Sequence, residues 1–189
     1  KKNFGKKNWM FPMPVLMIGT YNEDGTPNMM NAAWGGIYTD DMVGICLSEG
    51  HKTTKNILAR KAFTVSIGTR GRLAECDYVG IASGNKVADK FAKAGFTARK
   101  SDFVDAPLIE ELPMALECEL VSYDIESNHM VGRIVNVSVD ESVLDEDGNV
   151  DAGLLQPIVY DPVRLEYRVL GEKVGKAFSD GKKLLLQDM

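Results

Sequence analysis

Four stretches of this 189-residue chain carry residues whose types and spacing can do chemistry. The first is Ser48–Ile57, SEGHKTTKNI, where a histidine, two lysines, two threonines and an asparagine crowd into one turn of a chain with net charge −5. If a helix starts here, its first backbone N–H groups lack intrahelical partners and carry the positive end of the helix dipole. An anion sits well at such an end. Thr53 and Thr54 can cap the helix or donate hydroxyls to phosphate oxygens, Lys52 and Lys55 add charge, and Asn56 adds an amide donor. The competing reading is a threonine-capped helix with solvated lysines.

The second stretch is Asn28–Gly36, NMMNAAWGG. Small residues at 32, 33, 35 and 36 leave room beside the backbone, and glycine weakens a strand unless something approaches it closely. A flat ligand can lie there and pair its edge with backbone N–H and C=O groups, as the pyrimidine edge of a flavin would. The alternative is a bulge over a buried Trp34. The third stretch, Asp77–Phe91, holds the small-residue turn Ala82-Ser83-Gly84 flanked by Lys86 and Lys90. It reads equally as a connector between helices. The fourth is the tail Gly171–Lys183, GEKVGKAFSDGKK, whose Val174 and Phe178 suggest that part of it docks.

The elements that must position these residues are mostly strands. MPVLMIGTY is β-compatible and leads to an NEDG turn with Asp24-Gly25 at its tip. PNMMNAAWGGIY and MVGICLS continue, so the first three segments read as an antiparallel meander. A short helix over 54–61 follows, with Ile57, Leu58 and Ala62 at helical spacing, and then a strand, FTVSIG. Residues 71–95 read as helices and turns, with Gly95 as a terminator. SDFVDAPLIEELP reads as a polar connector wrapped over the surface. Two alternating runs, 115–125 and 130–139, form a hairpin around SNH. LDEDGNVDAGLLQPIVYDP reads mostly as loop, and RLEYRVLGEKV as a last strand. Many closely spaced strands with few helices predict a barrel rather than a βαβ fold.

Composition limits the function classes. With 44% apolar and 26% charged residues, this is ordinary globular material, expected as one domain over 1–189. An isoelectric point near 5.1 argues against a nucleic-acid partner, so an anion site must be local. Three separated cysteines, Cys46, Cys76 and Cys118, predict no disulfide framework and a buried packing role for each. Two histidines are a thin supply for a metal site, and none is expected. No signal-peptide pattern and no apolar run of membrane length is present, so a cytoplasmic protein without membrane attachment is expected.

Taken in order, PMPVLMIGTYNEDGTPNMMNAAWGG, HKTTKNI, FTVSIG, CDYVGIASGNKVADKF, DAPLIEELPMALECEL, VLDEDGNVD and LGEKVGKAFSDGKKL resemble the flavin reductase-like, FMN-binding split-barrel family, most closely its flavoredoxin branch. The resemblance implies a mainly β fold with flanking helices, a split β-barrel with Greek-key connections, and a homodimer with FMN near the subunit interface. Carried onto this chain, Lys52, Thr53, Thr54 and Asn56 would hold the phosphate and Ser48 would lie near the ribityl chain. Asn31, Ala32, Ala33 and Trp34 would line the isoalloxazine. Ala82, Ser83 and Gly84 would touch its other edge, with Lys90 near the ring carbonyls. The chemistry would belong to the cofactor, and no catalytic residue or metal ligand is assigned. Flavin reductases often carry Gly-Asp-His at the start of the strand near the nicotinamide. Here the run is Ser127-Asn128-His129 and only the histidine matches.

The leading expectation is a flavoprotein in electron transfer, either an NAD(P)H-dependent flavin or ferric reductase or a flavoredoxin-type carrier. Its partners would be a redox protein or a small-molecule acceptor. The alternative from another class is a non-redox split-barrel module for another phosphorylated ligand or haem. A pyridoxamine-phosphate oxidase on the same barrel lacks an arginine-rich phosphate cluster here.

Overall fold

The computed structural model describes residues 1–185. Its main feature is a seven-stranded antiparallel sheet in the order β3-β2-β6-β9-β10-β5-β4. The strands are β2 (Leu16–Tyr21), β3 (Pro27–Ala32), β4 (Gly35–Thr39), β5 (Met42–Cys46), β6 (Ala62–Ile67), β9 (Met114–Asp124) and β10 (His129–Val139). β2 and β3 form the expected hairpin, Leu16 opposite Ala32 and Tyr21 opposite Pro27. Gly25 takes φ +84° at its tip, and Asp24 accepts the Thr26 N–H there.

The expected three-segment meander is wrong at one point. β3 and β4 stand at opposite edges of the sheet, yet only Ala33 and Trp34 separate them in the chain. The Ala32-to-Gly35 step reaches at most about 10 Å. The sheet must therefore curl until its edges approach, which is the barrel, and residues 31–34 cross its seam. One continuous apolar run concealed two strands because both edges need the same apolar, small-residue character.

β2 feeds both faces of this sheet, as strand alternation requires. Leu16 and Ile18 join Val43, Ile45, Phe63, Val65 and Met130 in one core, and Met17 joins Met29, Cys76, Val79 and Phe91 in another. The second core lies under α2 (Leu73–Ile81) and α3 (Lys90–Lys93). A smaller sheet joins β1 (Met13–Pro14), β11 (Ile158–Asp161) and β12 (Glu166–Val169). The stretch expected to be mostly loop therefore contains β11 and a short helix, α4 (Ala152–Leu155).

Three other expectations are corrected. The 101–113 connector is packed inside: Val104, Ala106, Leu108, Ile109 and Leu112 are buried, and β8 (Pro107–Ile109) pairs with β7 (Ala98–Lys100). Its prolines mark a buried edge, where the Pro107 carbonyl accepts from the Thr64 hydroxyl at 2.6 Å. Cys76 and Cys118 are buried, but Cys46 is exposed, because Val43 and Ile45 take the inward positions of β5. In the tail, Val174 and Phe178 do not dock on their own chain; they are 93% and 98% exposed. α5 (Lys182–Leu185) follows them.

Candidate functional site: two clefts joined by the barrel seam

The helix in the opening stretch is α1, Lys52–Arg60, two residues earlier than its apolar spacing predicts. Its N-cap is His51, in an extended conformation and without a side-chain cap bond. The threonines do not cap. Thr54 turns inward and donates to the Ser48 carbonyl at 2.8 Å, which closes the preceding turn. Thr53 accepts from the Asn28 amide at 2.8 Å. The backbone N–H groups of Lys52, Thr53 and Thr54 have no acceptor within the helix, so the positive helix end stays open to a ligand.

A buried polar network bolts this helix end to the sheet. The Asn56 amide donates to Thr20 Oγ1 at 3.0 Å and to Asn22 Oδ1 at 2.9 Å. Arg60 donates to the Asn22 carbonyl at 2.6 Å and pairs with Asp105 at 3.1 Å. Both Asn56 donors are thus engaged inside the protein. Its expected role as a phosphate donor does not hold; it fixes the helix that presents the amides.

The opposite wall comes from the turn after α2. Ala82, Ser83 and Gly84 face His51, Lys52 and Thr53 across a cleft of about 210 Å³, with Met30 at its floor. Gly84 is required here, since a Cβ on it would lie 2.8 Å from Asn28 Oδ1 and 3.1 Å from Lys52 Cβ. Lys90 sits behind the turn, 3% exposed, and donates to the Val79 and Ala82 carbonyls at 3.0 and 2.9 Å. Its ammonium therefore clamps the turn rather than standing free near a ring carbonyl, which corrects the expectation.

Burial pushes the Lys90 ammonium down to about 8 from an ordinary value of 10.5. The folded state therefore binds fewer protons than the unfolded one between those two values. Stability attributable to Lys90 rises with pH across that window and is flat below it. Relative to Lys90→Met, the wild type should gain on the order of 2 kcal/mol between pH 7 and pH 9.5. Paired urea denaturations at the two pH values read this directly, and an unchanged difference would show that the ammonium is not desolvated.

The second cleft, about 780 Å³, opens between the N-terminal segment and β4–β5. Trp9, Met10, Ala33, Trp34, Ile37, Cys46 and His129 line it. Trp34 is 56% exposed, so the buried-tryptophan reading of this stretch fails. His129 lies directly across the strands from Cys46 and meets the edge of Tyr38 at 5.3 Å between centroids. The N-terminal segment thus lies over its own subunit's cleft. Strand alternation in β5 could have shown that Cys46 points outward, whereas nothing local in KKNWMF announces where that segment lies.

Residues 31–34 connect the two clefts: Met30 lines the first, Ala33 and Trp34 the second. The Asn31 side chain donates to the Cys76 carbonyl at 3.2 Å, and a Cβ on Gly80 would come within 3.1 Å of it, so the seam is held against α2. Ala32 is buried. Ser48 is exposed at the turn before α1, and its hydroxyl accepts from the Gly50 N–H at 3.4 Å. The structure thus gathers Lys52, Thr53, Ala82, Ser83, Gly84 and Lys90 at one cleft and Ala33 and Trp34 at the next. It turns Thr54 and Asn56 inward.

A family model described as a flavin reductase like domain matches residues 8–166. The chain belongs to the flavin reductase-like family. Flavoredoxin of Desulfovibrio vulgaris (Miyazaki F) is similar at 39% identity with a TM-score of 0.91, over 96% of this chain and 99% of that one. Flavoredoxin from Methanosarcina acetivorans is similar at 27% identity and a TM-score of 0.86, over 97% and 99% of the two chains. These likenesses place the chain in the flavoredoxin branch of the family. The FMN-binding domain of a flavin reductases-like enzyme from Shewanella baltica OS155 shares the split-barrel fold at 18% identity and a TM-score of 0.78, over 86% of this chain and 88% of that one. Among the described residues no helix is long and apolar enough to cross a membrane, and no group of three or more histidines, cysteines or carboxylates is placed to hold a metal.

Proposed function

We propose that this protein holds FMN along the barrel seam and works in flavin-linked electron transfer. The observation that carries the reading is the placement of two clefts at either end of the short segment 30–34. An open helix end with Lys52 faces a glycine turn at one end, and residues 31–34 lead to an apolar cleft at the other.

The residues present fit the group. The α1 amides and Lys52 suit a phosphate. Gly36 leaves open space for a flat ring, whereas Gly35 is needed for the close approach of the Gly44 carbonyl, and the second cleft offers the ring apolar walls. FMN, when bound, supplies the redox chemistry by taking up and releasing electrons at its ring. This chain's part is to bind and orient the ring. His129 and the exposed rim of the second cleft are where NAD(P)H or a reduced protein donor would approach. A homodimer, a redox protein or small-molecule acceptor and a cytoplasmic setting belong to the same proposal.

The test is an ultraviolet–visible spectrum of the purified protein after FMN is added and the excess removed. Retention of about one FMN per chain is the expected result. Loss of all flavin would leave the fold intact and favour a module for another phosphorylated ligand. Anaerobic addition of NADH, NADPH or a reduced ferredoxin then separates reductase from carrier by which donor bleaches the flavin fast.

A further inference from the structure

The helix end that suits a phosphate borders a third cleft as well. This one, about 430 Å³, is lined by Asn22, Glu23, Asp24 and Thr26, and it shares Lys52 and Gly84 with the cleft at the start of α1. Where they meet, the walls stand close: a Cβ on Gly84 would lie 3.1 Å from Lys52 Cβ and 3.4 Å from its Cγ. The remaining wall is the tip of the β2–β3 hairpin, and that tip is held in place. Arg60 donates to the Asn22 and Glu23 carbonyls at 2.6 and 3.2 Å, and Asn56 donates to Asn22 Oδ1 at 2.9 Å. The Asp24 carboxylate accepts from the Thr26 hydroxyl at 2.6 Å and from the Thr26 N–H at 3.0 Å. Those bonds, with Lys52 nearby, hold its carboxyl below the ordinary value, so it is charged at neutral pH. Glu23 meets Arg60 through its carbonyl, which leaves its carboxylate to the cleft.

We propose that Glu23 and Asp24 make the site select a flavin that ends in a phosphate monoester over a flavin dinucleotide. The proposal rests on the reading that FMN is held with its phosphate at α1. A monoester stops at the helix end, where Lys52 and the amides meet it. In flavin–adenine dinucleotide the same phosphate continues into a second phosphate and a nucleoside, which must pass Lys52 and Gly84 and enter the third cleft. That cleft has a volume suited to a small ligand, but its charge is wrong. Of its lining side chains only Lys52 is cationic, and that charge is engaged by the first phosphate. The second phosphate would lie against two carboxylates on a wall that Arg60 keeps from swinging away. The Asn22 amide and the Thr26 hydroxyl, which could donate to it, already donate within the hairpin, to Thr26 Oγ1 at 2.9 Å and to Asp24. Discrimination therefore comes from unpaired like charge set against the larger ligand, not from added contacts to the smaller one.

Equilibrium dialysis of the full chain against FMN and against flavin–adenine dinucleotide tests it, and the quantity read is the ratio of the two dissociation constants. The dinucleotide should bind at least about tenfold more weakly. Glu23→Gln/Asp24→Asn should shrink that ratio at least about fivefold. Both changes keep the shape, and the amide at 24 keeps an oxygen to accept from Thr26. Glu23→Gln alone, which leaves the hairpin bonds in place, should shrink the ratio part of the way. Raising salt from about 0.1 M to about 1 M shortens the screening length from about 10 Å to about 3 Å, and should shrink the ratio for the wild type but not for the double variant. Equal binding of the two flavins by the wild type would overturn the proposal while leaving the FMN reading standing. A ratio unmoved by salt and by both variants would also overturn it, since the exclusion would then be steric. Failure of the wild type to hold either flavin would remove the FMN reading and the proposal with it.

Discussion

Replacing Lys52 with alanine should weaken FMN binding by roughly ten- to a hundredfold and leave riboflavin affinity nearly unchanged. Lys52 stands at the first position of α1 and lines the smaller cleft. No hydrogen bond or ion pair to another residue is formed by its ammonium among the described residues, so its loss leaves no buried partner stranded. A charge-assisted bond to phosphate contributes about 1.5–3 kcal/mol, which is the fold-change stated. Riboflavin lacks the phosphate and is the control. Fluorescence titration with both ligands decides the matter, and equal losses would remove the phosphate from this helix end. The neighbouring threonines are poor probes of the same idea. Thr54→Ala would open the Ser48 turn and Thr53→Ala would release Asn28, so each would unsettle the helix start as well as any ligand.

Those threonines also show what the sequence could and could not disclose. The clustering of donors around residue 52 was visible in residue type alone, and so was the small-residue turn at 82–84 that faces it. Which donors point outward was not visible. The hydroxyls and amides of Thr53, Thr54 and Asn56 are chemically fit for phosphate. Thr53 and Asn56 are turned inward because the β2–β3 hairpin brings Thr20, Asn22 and Asn28 beneath the helix, thirty or so residues away in the chain, and Thr54 is turned to the Ser48 carbonyl of the preceding turn. Strand existence was legible from alternation, but sheet order was not. A run such as 27–38 looks the same whether it continues across one strand or leaves one edge of a barrel to enter the other. The buried character of 101–113 was hidden for a related reason: its polar residues mark partners to be met, not water.

Glu117 is the clearest such partner, and its replacement by glutamine should destabilise the fold by about 2–4 kcal/mol. It lies on β9, on the face opposite Leu116, Cys118 and Leu120, and it is fully buried. Burial alone would raise its carboxyl above the ordinary value. Hydrogen bonds from Ser101, Ser138 and Asn136 outweigh that and hold it below. Ser101 in turn accepts the backbone N–H groups of Phe103 and Val104, both at 2.9 Å, so this carboxylate anchors the buried connector to the sheet. Bonds to a charged group contribute roughly 1.5–3 kcal/mol each before the cost of burying the charge, and glutamine would set an NH₂ against donors while keeping the shape. A depressed carboxyl contributes stability that is present above its unfolded value, near 4.5, and is lost as pH falls through the lower folded value. Wild type should therefore lose stability on acidification below that point more steeply than Glu117→Gln, and the two should converge at low pH. Denaturation midpoints measured from pH 7 down to pH 3 check this. Parallel curves with a constant gap would mean that the carboxyl titrates alike in the folded and unfolded chain and that its role is shape rather than charge.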